Sequence, residues 1–421
     1  MTYHSTHRQY LTMLGILVAL LLLALSAFAQ ETTNEAQGQD VNPSIGDGEM
    51  VFEGRLRYWY ANDAAAKASH AFTFGTNFGY RSPTYKGFQI YLEGESVMAL
   101  TPDLFFDGLN DQIDRTVVTD VETIELNQAQ IYYTGQLGET KVQFRLGRQA
   151  AIVEDERFIG NVSARQDDQT FDAGWVKVQN DKRGFSFEYA YMYQINRLLA
   201  QVGDWRSNSH AFMMSYYKNP LVRVGLFAHL FDFKADNPGQ SLQTFGFTID
   251  RSEVPQDRVA LTYKTAFAYQ TDYADNPIAY ESLLFNGEVG VSLPYIAVLN
   301  VGYELATSDN GVAAFQFPLS TGQRLHRISD KFISPPADGL HNPYVTAEFR
   351  NLVWGIGGWL GYHTYLSQDE STLLGQEIDV VLYRQIVPDL LRAELTYASF
   401  LGEEERFSDL NIFALDVVFE L

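Results

Sequence analysis

The sequence contains no cysteine. Disulfide staples, thiolate metal sites and cysteine nucleophiles are thereby excluded. Positive charge is scarce: 30 Lys and Arg stand against 52 Asp and Glu, for a net charge of −22. An acidic chain of this kind argues against a nucleic-acid partner. Past the N-terminal segment, no apolar run reaches the length of about eighteen residues that a transmembrane helix needs. Helical periodicity is almost absent as well. The histidines show no ligand spacing such as HExxH, and there is no GxSxG or Ser/His/Asp order. No metal, no cofactor and no enzymatic activity are therefore expected. Ser209-His210 is the one adjacent pair of hydrolase type, and neighbours on a strand point to opposite faces.

The N-terminus carries Arg8, an apolar run from Leu14 to about Leu25, and Ala27-Phe28-Ala29. Residues 1–29 read as a secretory signal peptide cut before Gln30. Residues 30–49 are polar, acidic and without period, and read as a flexible lead-in. The remainder, 50–421, is strand-like throughout. Phe52, Leu56, Tyr58 and Tyr60 share one face of a segment whose other face carries Glu53, Arg55 and Arg57. Phe185, Phe187, Tyr189, Tyr191 and Tyr193 recur at spacing two, as do Phe413, Leu415, Val417, Phe419 and Leu421. Side chains alternate across a strand, so each segment has one apolar and one largely polar face.

Two features separate this pattern from a soluble sandwich. The segments run about 10–14 residues, long for a globular strand and suited to a tilted membrane span. Connections alternate between short turns, such as Gly135–Gly138 and Asn219-Pro220, and longer polar loops, such as 100–122, 153–168 and 306–341. The expectation is an all-β fold: a membrane-spanning antiparallel β-barrel of about 18 strands, with short periplasmic turns and long extracellular loops, in the bacterial outer membrane. A barrel of that size leaves room for an aqueous channel. An Arg or Lys facing lipid at the bilayer midplane costs roughly 2–4 kcal/mol, so mid-strand cations are expected to face inward. Arg55, Arg57, Lys141, Arg145 and Lys264 are lumen candidates on this ground, and Glu53, Glu93, Glu95 and Glu188 alternate to the same side.

The stretch GRQAAIVEDERFIGNVSARQDDQTFDA (147–173) interrupts two strands with a charged segment. Its pieces GRQ (147–149) and ERFIGNVSARQDDQTFDA (156–173) resemble the signature of the alginate-export porin family. So, in the same order, do ELNQA (125–129), NR (196–197), GDW (203–205), SHAF (209–212), DYADNP (272–277) and DKFISPPADGL (330–340). The resemblance implies a monomeric outer-membrane channel whose lumen is narrowed by inward-folded loops. It also implies basic residues that favour an anionic polysaccharide. Arg148, Arg165 and Arg197 fall in the matching motifs and join the lumen candidates. Arg157, Asn161, Asp167 and Asp168 are expected to structure a loop folded over the pore through ion pairs and amide hydrogen bonds, with Gly160-Asn161 permitting a tight turn. Expected partners are an anionic oligo- or polysaccharide, outer-membrane lipid and lipopolysaccharide, and the periplasmic export machinery. A general or nutrient-uptake porin on the same scaffold remains open, since the inward acids dilute any anion-attracting field. A receptor or adhesion barrel acting through its acidic loops is a weaker third reading. The terminal Leu421 departs from the aromatic usual at the end of such barrels.

Overall fold

Strand alternation in the sequence resolves into a closed ring of eighteen antiparallel strands in a computed structural model. The structure describes residues 48–421 apart from 252, 323–327, 351 and 370. The expected signal peptide and residues 30–47 of the expected lead-in lie outside the described residues. The first strand already begins at Glu49.

The strands run Glu49–Asp63 (β1), Ser69–Arg81 (β2), Phe88–Ala99 (β3), Thr123–Leu137 (β4), Thr140–Ala150 (β5) and Thr170–Asn180 (β6). They continue as Phe185–Asn196 (β7), Trp205–Asn219 (β8), Val222–Phe231 (β9), Leu242–Asp250 (β10), Ala260–Asp272 (β11) and Glu281–Leu293 (β12). The ring is completed by Ala297–Ala306 (β13), Leu340–Phe349 (β14), Gly357–Leu366 (β15), Leu373–Val387 (β16), Leu391–Gly402 (β17) and Leu410–Glu420 (β18). Every strand pairs with its sequence neighbours, and β1 pairs with β18, so no edge is left for lipid to desolvate. The seam is extended by Leu421, whose N–H donates to Phe52 O at 2.8 Å and whose carbonyl accepts from Phe52 N at 3.0 Å.

The outer face carries the apolar partners of the alternation. Ile90, Leu92, Phe144, Leu146, Phe187, Phe247, Val289 and Leu415 are all exposed there, as a lipid-facing band requires. The inward face differs between its two ends. At the long-loop ends of the strands, Phe171, Ile195, Phe231, Leu242, Tyr365 and Phe400 are buried. They are covered by Phe105, Phe158, Ile159, Phe315 and Phe332, which come from the loops 100–122, 151–169 and 307–339. Phe332 packs on Tyr365, Phe407 and Phe400 with ring centroids 4.3, 4.9 and 5.7 Å apart. Burying each such ring stabilises the folded-in loops by roughly 1.5–3 kcal/mol. The loops therefore pack inside the barrel like a second core, and the polar lumen is confined to the space below them.

Candidate functional site at the pore constriction

The charged interruption between β5 and β6 crosses the lumen. It leaves the wall after Ala150, turns through left-handed Glu154 (φ 51°), Glu156 (φ 62°) and Val162 (φ 56°), and returns at Thr170. Its neck is closed by the Gln169 N–H donating to Asn161 O at 2.7 Å. Gly160 has a different role from the one expected of it. Its φ is not left-handed, but a Cβ there would stand 2.2 Å from Thr321 Oγ1. The glycine lets the loop 307–339 lie against it, with Gly160 N donating to Leu319 O at 3.0 Å and Val162 N donating to Thr321 Oγ1 at 3.0 Å.

Cations dock this loop onto walls on both sides. On β1, Arg55 Nη1 donates to Ser163 O (3.0 Å) and Arg165 O (2.9 Å), while Arg57 Nη2 donates to Ala164 O (2.8 Å). Arg57 is 3 % exposed and is held by Asp416 (2.7 Å) and Asp120 (3.4 Å). On the opposite wall Lys264 of β11 binds Asp155 at 2.5 Å. Arg157 forms a buried ion pair with Glu304 of β13 and lies 3.5 Å from Asp155. Burial alone would raise the Asp155 pKa, but Lys264 and Arg157 hold its carboxyl below the usual range. Arg165 pairs with Asp330 at 2.6 Å and lies 5.5 Å over Trp59. Arg197 donates to Gln169 Oε1 and to Pro318 O (2.9 Å), and stacks on Trp205 at 4.4 Å.

Arg157 and Arg165 thus form ion pairs, but not with Asp167 and Asp168. Asp167 meets the β3–β4 wall at Glu95 and Glu125, while Asp168 lies between Arg55 and Glu53 of β1 and Glu93 of β3. Burial, with Glu125 and Asp168 adding, pushes Asp167 up to about 8. Burial also raises Asp168 to about 7; Arg55 offsets part of this, while Glu53, Glu93 and Glu156 add to it.

Arg148 is a correction. Register places it opposite Ala129 and Asp172, on the side of Phe144 and Leu146, and it binds Asp172 at 2.8 Å. It does not face the lumen. Gly147 before it has φ 118°, and a Cβ there would stand 2.2 Å from Ala129 O, so the glycine is required by close approach. Lys141 is exposed near the short-turn end of β5. Ser209 is buried inside, whereas His210 lies outside against Tyr189 (2.9 Å), so the two do not converge.

Arg145 stands apart from the other inward arginines. It lines a cavity of about 680 Å³ below the loop, with Tyr132, Gln143, Trp175, Lys177 and Glu188. Its guanidinium stacks over Trp175 at 4.8 Å, and among the described residues no carboxylate closes a direct ion pair with it, Glu188 acting on it only from a distance. Glu188, the nearby acid, is engaged by Lys177 (2.6 Å) and Trp175 Nε1 (3.2 Å). A second cavity of about 470 Å³, against β1 and β15–β18, holds Glu53, Arg55, Arg57, Arg392, Glu394 and Asp416, where the charges are mutually paired. Sequence reasoning missed Trp175, Lys177, Asp120, Glu304 and Asp330. Alternation could have placed the first two inward, but the others become partners only through folding.

A family model for alginate export matches residues 64–316. The chain belongs to the alginate-export family. A search of curated proteins found no match for this family member. Solved outer-membrane porins share its fold. OccK1 (OpdK) of Pseudomonas aeruginosa is 14 % identical with a TM-score of 0.68, covering 90 % of this chain and all (100 %) of that one. OpdK with vanillate gives 13 % and 0.69 over 90 % and 100 %. Acinetobacter baumannii OccAB4 gives 12 % and 0.66 over the same shares, 90 % and 100 %. This alginate-export family member is a porin-like barrel of the outer membrane.

Proposed function

We propose that the barrel is a passive diffusion channel for carboxylate-bearing sugars, oligouronates above all, which pass beneath and around the constriction loop. The observation that carries this reading is Arg145. Of the lumen arginines described, Arg55, Arg57, Arg165 and Arg197 are spent on holding loops, whereas Arg145 offers its fork to the cavity beside the aromatic faces of Trp175 and Tyr132. A guanidinium grips a carboxylate bidentately, and an indole face suits the C–H side of a sugar ring. One such site, softened by Glu154 and Glu188 in the same lining, gives the weak binding that conduction needs. Membership of the alginate-export family supports a polyuronate as the natural solute, delivered by periplasmic machinery to a single-chain pore.

A second reading, uptake of small organic acids, draws on the same guanidinium and on the likeness in fold to a porin whose crystals contain vanillate. Purified protein in planar bilayers tests both. Oligouronates blocking the current more strongly than vanillate or neutral oligosaccharides favour the first reading. Block by vanillate alone favours the second, and a cation-selective pore indifferent to either sinks both.

A further inference from the structure

Glu95 of β3 and Glu125 of β4 occupy directly opposed register positions. Like charges in that arrangement repel across a sheet. The constriction loop brings a third carboxylate, Asp167, to the same point, and one oxygen from each of the three lies within 4.8 Å of the others. Folding offsets this only in part, through the Ala200 backbone N–H directed at Asp167. Glu95 is 2 % exposed and its Oε2 has no hydrogen-bond partner; Asp167 is 0 % exposed and neither of its carboxylate oxygens has a donor in close hydrogen-bond geometry. Nearby cations are committed elsewhere: Arg148 to Asp172, and Arg55 to loop carbonyls and Glu53. Asp168, Glu93 and Asp204 add further negative potential around the cluster.

We propose that Glu95, Glu125 and Asp167 form a binding site for Ca²⁺ that clips the constriction loop to the barrel wall. Buried carboxylates without donors are costly unless a cation joins them. An all-oxygen, all-anionic donor set selects a hard cation over a thiolate- or imidazole-loving one. The spacing suits Ca²⁺, whose bonds of about 2.3–2.6 Å set opposite ligands roughly 5 Å apart, better than Mg²⁺ with its tighter octahedron. Water completes the shell. With the ion bound, the returning arm of the loop is fixed to β3 and β4. Without it, the three carboxyls are held together only by shared protons, a weaker tie, and the constriction loosens. The site is independent of which solute the channel passes. It was not visible in the sequence because its ligands come from three separate segments and have no motif spacing.

The test uses the purified full barrel, stripped with EDTA and titrated with calcium chloride by calorimetry. Saturable binding of about one equivalent is expected, with Kd on the order of 10⁻⁴ M or tighter and at least tenfold preference over magnesium chloride. Glu95→Gln and Asp167→Asn are each expected to weaken Ca²⁺ at least tenfold while the protein keeps its heat-modifiable barrel mobility on gels. Should either fail to fold, Glu125→Gln, at a less buried position, carries the same expectation. Absence of saturable Ca²⁺ binding overturns the proposal and leaves a cluster that shares protons instead. Affinity unchanged in the variants overturns it too, by placing the binding at other acids.

Discussion

Replacing Arg157 with leucine is expected to undock the constriction loop without unfolding the barrel. The side chain is 5 % exposed, and its guanidinium faces Glu304, itself 3 % exposed, with Asp155 close by. Removing one member of a buried ion pair costs about 3–5 kcal/mol, because the other charge stays in a low-dielectric site. At 1.4 kcal/mol per factor of ten, that shifts the docked-to-undocked ratio of the loop by roughly two to three and a half decades. The strand ladders do not depend on this pair, so the cost falls on the loop. Single-channel recording is expected to show a larger, flickering conductance. Limited proteolysis is expected to cut within 151–169, while heat-modifiable gel mobility stays that of the wild type. Arg157→Leu combined with Glu304→Leu removes both charges and is expected to recover much of the quiet, narrow state, since an apolar pair often replaces a buried ion pair at no loss. A single variant with wild-type conductance and protease resistance would refute the claim that this pair holds the loop across the lumen.

Gly160→Val is expected to lift the loop from its neighbour, because the new Cβ meets Thr321 Oγ1 at 2.2 Å; overpacking of about 1–3 kcal/mol is read as faster cleavage in 151–169. Asp155 has its docked-state pKa below its free value of about 3.9, so its stabilisation is present above that value and lost as pH falls through the docked-state one. The Asp155 contribution to conductance is therefore expected to stay constant from pH 7 to about 4, with opening below it, and Lys264→Met should move that opening to higher pH. Arg148→Ala is expected to leave the reversal potential in a salt gradient unchanged, because the side chain faces Asp172 outside the lumen.

Strand number, facing and closure were legible because lipid and lumen impose opposite demands at a spacing of two residues, as with Phe144 and Leu146 against Gln143 and Arg145. The same rule would have turned Arg148 outward, since Gly147 and Gln149 alternate inward; motif membership alone had put it in the lumen. Family motifs prove to be architectural in several places. Asn127 of ELNQA is the extra residue of a bulge and binds Glu93 at 3.0 Å. Lys331 and Phe332 of DKFISPPADGL tie their loop to Asp63 (2.7 Å) and to the aromatic cluster. Signatures of this kind mark how the loops are packed rather than what passes. Partner choice for Arg157 and Arg165 was not legible. Glu304 and Asp330 lie far along the chain, and many acids compete for each arginine until the loop 307–339 is in place. Arg145 was legible as inward but not as free, because freedom depends on Lys177 having already taken Glu188.

In the proposed function, Arg145 meets the solute while the other arginines hold the walls together. The most direct measurement of this is the dwell time of a tri-uronate blocking single channels of the wild type and of Arg145→Ala. A loss of a charge-assisted fork is worth about 1.5–3 kcal/mol, so dwell times in the variant are expected to fall roughly tenfold or more, with open conductance and thermal stability little changed. Equal dwell times in the two proteins would rule out Arg145 as the solute contact and return the selectivity to charges elsewhere in the lumen.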